Sequence, residues 1–235
     1  MSRGEVDWDR IFGTEGTRWF HTGGIFSALS ETTAGVTAEA MQAARRHGAI
    51  VSYDLNYRPS LWKTIGGPTR AAEVNRELAE HADVLLGNEE DFSKALGFEM
   101  ATDDEDFVDL DLGAYEELLG AVMTGYPRLE AVATTLRQVR TATINDWSAV
   151  CMTRVDGFAV GPSLEWLEIL DRIGGGDSFA SGFFYGLLNG RSAEEALAYG
   201  VAHGALAMTT PGDTSMATLD EVEQLRRGTS PRIQR

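Results

Sequence analysis

Cysteine is nearly absent from this sequence: Cys151 is the only one in 235 residues, so no disulfide can form within the chain. A single thiol is typical of proteins in a reducing compartment, which predicts a cytoplasmic location. Long apolar runs are absent too, since no stretch approaches the roughly 20 residues that a membrane span needs. The charged start, MSRGEVDWDRIF, lacks the pattern of a secretory signal peptide. We therefore expect no membrane partner.

Positive charge is scarce in this sequence. Lys and Arg number 20 against 36 Asp and Glu, which gives a formal net charge of −16. An acidic surface of this kind repels nucleic-acid phosphates, so we expect no nucleic-acid partner. A small anion can still bind where local dipoles and a few cations outweigh the overall negative field. A candidate anion site in so acidic a chain is therefore informative about function.

Strand patterns and helix patterns alternate along the chain. Short apolar runs that end in polar residues indicate strands, and amphipathic runs with capping signals indicate helices. This alternation predicts an α/β fold with a parallel, doubly wound sheet. The predicted strands cover residues 17–24, 49–56, 83–88 and 129–136, and the predicted helices cover 37–48, 69–82, about 192–208 and the stretches that begin after Asp177 and at Thr218, where Thr218 and Glu221 form a capping box.

Polar side chains follow three of the predicted strands at the point where each strand ends. In open α/β sheets, ligands bind outside the carboxyl ends of the strands, so such clusters indicate a binding site. An ordinary polar loop explains any single cluster equally well. The three clusters are Asp54, Asn56 and Arg58, then Asn88 to Asp91, then Thr135 and Arg137.

Three consecutive glycines precede Asp177 at the predicted start of a helix. Glycines let backbone N–H groups converge on a ligand, and a helix start adds unpaired donors and the positive end of the dipole. A phosphate could sit in such a turn, and the carboxylate beside it could accept a proton from an attacking hydroxyl. A tight turn with Asp177 as an ordinary N-cap is the alternative. The stretch is not a P-loop, because no Gly-Lys-Ser/Thr follows.

Four stretches share a recognisable pattern: YDLNYRPSLW (53–62), TLRQVRTATINDWSA (135–149), DRIGGGDSFASGFFYGLL (171–188) and TTPGD (209–213). In this order they resemble the ribokinase-like, or pfkB, carbohydrate kinases. The family usually has Gly-Ala-Gly-Asp in the third motif, and the glycine in place of alanine recurs in its 2-keto-3-deoxygluconate kinases. The resemblance runs from Asp7 to about Leu225.

The resemblance implies roles for the residues that match these motifs. Asp177 would be the catalytic base that deprotonates the sugar hydroxyl. Arg58 would pair with the substrate carboxylate, which a guanidinium can do through two hydrogen bonds; a surface salt bridge is the alternative. Asp213 would lie near the substrate, although a turn aspartate explains it nearly as well. The anion hole for the transferring phosphoryl group would be Gly174, Gly175 and Gly176.

The resemblance also implies ATP as phosphoryl donor and Mg²⁺ as cofactor, and leaves open a potassium ion at the nucleotide loop. Asn88–Asp91 matches the family's Asn-x-x-Glu motif, with Asp91 on a shorter arm than the usual glutamate, so Asn88 and Asp91 would contact magnesium through water. Residues implied near the nucleotide, its phosphates or the sugar are Asp54, Asn56, Thr135, Arg137, Arg140, Gly174 and Gly176.

The resemblance implies one three-layer α/β kinase domain over residues 1–235, with a mostly parallel sheet, that lacks the family's N-terminal strand, Gly-Gly motif and β lid. The expected function is phosphorylation of 2-keto-3-deoxygluconate to its 6-phosphate. A fructokinase-like sugar kinase and a non-catalytic nucleotide-binding remnant are the alternatives. A homo-oligomer would have to form without the usual lid-mediated interface.

Overall fold

Strands and helices alternate along the chain in a computed structural model, which describes residues 1–100 and 111–228. These residues form two compact units, one from Met1 to Ala133 and one beginning at Thr134. The predicted strands and helices are confirmed, with ends shifted by a few residues, and so is the capping box of Thr218 and Glu221. The architecture is mixed α/β, as the sequence predicts.

The first unit is built on parallel strands. β1 (Trp19–Gly23), β2 (Ile50–Asp54), β3 (Val84–Leu86) and the start of β4 (Ala131–Val139) pair in that order. Tyr53 is the register partner of both Thr22 and Leu85. Helical segments cover α1 (Gly24–Ser27), α2 (Thr33–Arg46), α3 (Pro59–Trp62), α4 (Gly67–Ala79), α5 (Glu89–Asp91) and α6 (Leu112–Gly125), with π-helical turns at Arg10–Gly16 and Phe92–Leu96.

Strand β3 shows why the parallel part of the sheet could be predicted. Its three residues, VLL, are all buried, because helices of parallel α/β folds cover both faces of the sheet. Its backbone also fixes the next turn: the Leu55 amide, one residue beyond β2, donates to the Leu86 carbonyl at 2.9 Å. The strands β2 and β3 therefore end side by side, and the polar residues that come after each strand start from these paired ends.

The second unit adds strands that the sequence pattern did not predict. β5 (Ile144–Thr153) pairs antiparallel with β6 (Gly157–Val160) and with β7 (Leu164–Glu168). The strand order is β1-β2-β3-β4-β5-β6, with β7 on β5. The remaining elements are the helices α7 (Gly175–Leu188), α8 (Ala193–Met208) and α9 (Leu219–Arg226).

Helices α7 and α8 approach each other closely because glycines line their contact. A Cβ added to Gly182 would lie 2.5 Å from the carbonyl oxygen of Tyr199, and one added to Gly186 would lie 2.5 Å from the Cα of Ala196. A larger residue at either position would push the two backbones apart. Gly182 and Gly186 thus allow α7, the helix that carries the candidate site, to pack closely against α8.

Two fully buried asparagines differ in their hydrogen bonding. Asn75 of α4 is 0% exposed, donates to the Ala71 carbonyl at 2.8 Å and accepts from the Tyr53 hydroxyl at 2.7 Å. Asn145 of β5 is 1% exposed, and neither of its amide atoms has a partner in the part of the chain that the structure describes. A buried polar group without a partner costs about 1–3 kcal/mol.

We expect Asn145→Leu to raise the melting temperature and Asn75→Leu to lower it. Leucine removes the unpaired amide at position 145, whereas at position 75 it deprives the Tyr53 hydroxyl of its nearer acceptor and leaves only Oγ of Ser27 at 3.5 Å. A change of about 1 kcal/mol shifts the melting temperature of a chain of this size by about 2–4 °C. Circular dichroism melts of the two variants and the wild type measure this, and equal losses in both variants would contradict the expectation.

None of the helices over residues 1–100 and 111–228 has both the length and the apolar character needed to cross a membrane.

Candidate active site

The three glycines form a turn that starts helix α7. Gly174 is the N-cap and adopts the left-handed conformation, with φ 80° and ψ −8°. Its carbonyl accepts from the Ser178 amide at 2.9 Å and closes the first helical turn. The first amides of a helix have no carbonyl partner within it, so this turn presents N–H donors at the positive end of the dipole.

Each glycine of the turn meets a different environment. A Cβ on Gly174 would lie 2.5 Å from the carbonyl oxygen of Asp213, and one on Gly175 would lie 2.8 Å from Cγ of Met208. A Cβ on Gly176 would meet no atom within 4 Å. The first two glycines thus fit the turn against its own unit, while the third borders open space where an anion can approach.

Asp177 follows the three glycines as the third residue of α7, and its side chain is exposed. Gly174 is the N-cap, and no side chain caps this helix, so the interpretation of Asp177 as an ordinary N-cap is wrong. The carboxylate is an exposed acid in the first turn of α7. Its role as a general base stays a prediction.

The loop that carries Asp213 is tied to α7 through His203. His203 lies on α8, with Nδ1 2.8 Å from Oγ of Ser181 and Nε2 2.9 Å from Oγ of Ser215. Burial lowers the pKa of this imidazole, opposed by a backbone hydrogen bond with Ser178. Asp213 itself is exposed. No local motif in the sequence signals a bridge between residues so far apart in the chain.

Arg140 already has partners in the second unit. Its Nε donates to both carboxylate oxygens of Asp146 at 2.7 Å, and its guanidinium lies 4.5 Å from the ring centre of Trp166. The hydrogen bond from Arg140 lowers the pKa of the Asp146 carboxyl, although burial opposes this. Thr135 is half-buried and Arg137 exposed on β4. The nucleotide roles of these three residues stay predictions.

In the first unit, Asp54, Asn56 and Arg58 share the turn after β2. Asp54 Oδ1 accepts from the Asn56 amide at 3.0 Å, and Asn56 has the positive φ of 34°, which is unusual for a residue other than glycine. Arg58 is exposed, and its Nη1 donates to the carbonyl oxygen of Tyr57 at 2.9 Å. The turn therefore presents a guanidinium at the end of β2.

Asn88 and Asp91 form a reciprocal capping box after β3. Asn88 Oδ1 accepts from the Asp91 amide at 2.8 Å, and Asp91 Oδ2 accepts from the Asn88 amide at 2.9 Å. Asp91 Oδ1 accepts from the Tyr57 amide at 2.8 Å, and the residue is 4% exposed. Burial raises the pKa of the Asp91 carboxyl, opposed by the hydrogen bonds from Asn88 and Tyr57 and by the charge of Arg58.

These contacts bear on the magnesium prediction. Residues 1–100 and 111–228 hold no group of three or more His, Cys, Asp or Glu side chains able to bind a metal. Both Asp91 oxygens already accept backbone N–H groups. Because Mg²⁺ is usually held by one or two carboxylates together with phosphates and water, the residues fit an ion ligated mainly by phosphate and water. The magnesium contacts of Asn88 and Asp91 stay a prediction.

Comparison with known proteins identifies the family. Residues 149–219 match the model of the pfkB family carbohydrate kinases. The chain is 32% identical over 216 residues to 2-dehydro-3-deoxygalactonokinase of Haloferax volcanii, covering 92% of this chain and 59% of the relative. It is 33% identical to the crystal structure of 2-dehydro-3-deoxygluconokinase of Thermotoga maritima, with a TM-score of 0.86 over 97% of this chain and 65% of that one. Residues 149–219 thus carry the signature of the pfkB family of carbohydrate kinases, and the chain is similar to kinases of that family.

The resemblance seen in the sequence and the fold class it implies are thereby confirmed. A further relative, 5-dehydro-2-deoxygluconokinase of Geobacillus thermodenitrificans, is 27% identical over 186 residues, covering 79% of this chain and 48% of the relative. The chain thus spans about half to two thirds of the length of these relatives. The family match includes the turn before α7, Asp177 and Asp213.

Proposed function

We propose that this chain catalyses the ATP-dependent phosphorylation of 2-keto-3-deoxygluconate at its terminal hydroxyl, giving the 6-phosphate. The observation that carries the proposal is the exposed Asp177 directly behind Gly176, whose missing side chain leaves open space at the start of a 14-residue helix. The match to the pfkB family model and the similarity to kinases of that family support the same reaction.

In this proposal the chain's own groups act by position and charge. Asp177 accepts the proton of the sugar hydroxyl as the oxygen attacks the γ-phosphorus of ATP. The bond from that phosphorus to the ADP oxygen breaks, and ADP leaves. The amides of Gly175 and Gly176 hold the negative charge on the transferring group, as preorganised donors do in acyl and phosphoryl transfer. Magnesium, when bound, would neutralise phosphate charge.

Arg58 is the residue proposed to recognise the acid. Arg58 is exposed, and its planar guanidinium can pair with a carboxylate through two hydrogen bonds. The similar proteins of Haloferax, Thermotoga and Geobacillus are all named as kinases of deoxy keto sugar acids, which supports a substrate with a carboxylate. The names differ in the sugar, so the galactonate epimer and 5-keto-2-deoxygluconate belong in the test beside 2-keto-3-deoxygluconate.

The test is an ADP-release assay with magnesium-ATP and a panel of sugars. We expect turnover with one or more keto sugar acids and none with fructose or ribose. Preference for fructose would favour a fructokinase instead. Nucleotide binding by the folded chain, without turnover of any sugar, would favour a non-catalytic nucleotide-binding role.

Arg58→Ala should raise KM for the sugar acid about tenfold or more while kcat changes less. The charged hydrogen bonds lost with the guanidinium are worth about 1.5–3 kcal/mol, and each 1.4 kcal/mol is a factor of about ten. Steady-state kinetics with the preferred keto acid measure both constants. Arg70→Ala is a matched control, since Arg70 is an exposed arginine of the same unit that pairs with Glu73. An unchanged KM in Arg58→Ala would exclude the carboxylate role.

A further inference from the structure

Asp91 joins the two loops that follow β2 and β3. Its Oδ1 accepts from the Tyr57 amide at 2.8 Å, and its Oδ2 accepts from the Asn88 amide at 2.9 Å. With 4% of its surface exposed, the carboxylate is buried in this contact. It therefore acts as a bridge between two backbone segments that are far apart in the sequence.

The bridge ends at the peptide that precedes Arg58. Asp91 holds the amide of Tyr57, and the carbonyl of Tyr57 accepts from Nη1 of Arg58 at 2.9 Å. Tyr57 itself is 7% exposed, so this residue cannot shift without disturbing the core. The charge of Arg58 also acts on Asp91, since it is one of the causes that oppose the raised pKa of that carboxyl.

The loop between β2 and Arg58 needs such a restraint. Asn56 holds a φ of 34°, a conformation that costs energy for a residue with a side chain. The Asp54 carboxylate fixes the amide of Asn56 on one side, at 3.0 Å, and Asp91 fixes the next amide on the other. Together the two carboxylates hold the backbone that presents the guanidinium.

We propose that Asp91 is a positioning residue for substrate recognition: by holding the Tyr57 amide, it fixes the loop that presents Arg58 to the substrate carboxylate. This inference rests on the proposed function, and it assigns Asp91 a role that requires no contact with metal. A carboxylate suits the role because both of its oxygens accept, whereas an asparagine side chain has one oxygen and an NH₂ group that only donates. In Asp91→Asn, one of the two backbone amides therefore faces another donor.

The space around Asp91 also restricts what can replace it. A Cβ added to Gly87 would lie 3.2 Å from the Cβ of Asp91 and 2.9 Å from Cδ1 of Leu55. A longer glutamate must therefore fit into a narrow space, but it keeps two acceptor oxygens. Because the second acceptor is what Asp91→Asn loses, we expect Asp91→Glu to recover most of the lost substrate affinity.

A double-mutant cycle with Arg58 tests the inference. We expect Asp91→Asn to raise KM for the keto acid about tenfold in the wild-type background, and less than about twofold in the Arg58→Ala background. Asp91→Glu should stay within about threefold of wild type. Glu77→Gln, at an exposed acid of α4, is the control and should leave KM unchanged. A merely structural role would lower stability and activity alike in both backgrounds.

The outcomes separate this inference from the proposed function. An equal rise of KM in both backgrounds, or no rise in either, would overturn the role of Asp91 while wild-type turnover upholds the kinase. A folded wild type without affinity for any keto acid would overturn both. If Asp91→Asn does not fold, hydrogen exchange of the wild type decides, because the Tyr57 amide should exchange slowly although it lies in a loop. A rapidly exchanging Tyr57 amide would contradict the bridge.

Discussion

Asp177→Asn is expected to lower kcat by about 100- to 10,000-fold, the usual contribution of a positioned general base. Asparagine has nearly the same shape as aspartate but cannot take the proton of the sugar hydroxyl. Because Asp177 is exposed in the first turn of α7, the exchange should leave the melting temperature and the KM values for ATP and sugar acid nearly unchanged. Steady-state kinetics of the purified variant measure this split.

Glu194→Gln is the matched control for that variant. Glu194 is an exposed acid in the first turn of α8, so its neutralisation alters a helix start of the same unit without touching the proposed base. Its kcat should stay at the wild-type level. Near-normal turnover by Asp177→Asn would show that another group takes the proton, and the proposed mechanism would then be wrong.

Gly174→Ala should give the second largest effect, because two costs add at one residue. Alanine is strained in the left-handed conformation, by about 1–2 kcal/mol, and Gly174 has a φ of 80°. The new Cβ would also lie 2.5 Å from the carbonyl oxygen of Asp213. This oxygen belongs to the backbone, so it cannot move away as easily as the end of a flexible side chain. We expect a lower melting temperature and at least about a tenfold loss of kcat/KM for ATP, equivalent to about 1.4 kcal/mol.

Two other glycines, Gly176 in α7 and Gly190 directly after its C-cap Asn189, separate these costs. Gly190 has a φ of 66° with no atom within 4 Å of an added Cβ, so Gly190→Ala reports the strain alone. Gly176→Ala meets neither strain nor contact and should leave the melting temperature unchanged. Thermal melts of the three variants should therefore rank Gly174→Ala lowest, then Gly190→Ala, then Gly176→Ala. A Gly174→Ala variant as stable as Gly176→Ala would contradict the close packing of the turn against Asp213.

The parallel part of the fold could be predicted because its signals are local. Short apolar runs marked β2 and β3, and a capping box marked the start of α9. The antiparallel strands β5 to β7 were not predicted, because a buried run such as SAVCM has no alternation and its partners are set by tertiary pairing. The motifs identified the family, since their order along the chain is specific.

The roles of the candidate site residues stay predictions, and the contacts among these residues could not be predicted from the sequence. The sequence indicated Gly174 as part of an anion hole, yet its need for glycine comes from a carbonyl in a distant loop. Asp91 matched a motif associated with magnesium, whereas its hydrogen bonds run to the backbone of Tyr57 and Asn88. Such contacts depend on which loops the fold brings together, and the spacing of residues in one sequence does not predict them.

Transfer of a radiolabelled γ-phosphate from ATP to 2-keto-3-deoxygluconate is the direct test of the proposed kinase activity. We expect the folded wild-type chain, with magnesium, to move the label onto the sugar acid as its 6-phosphate, and Asp177→Asn to form almost none of this product. ADP formation without labelled sugar acid, or equal labelling by the wild type and Asp177→Asn, would contradict this expectation.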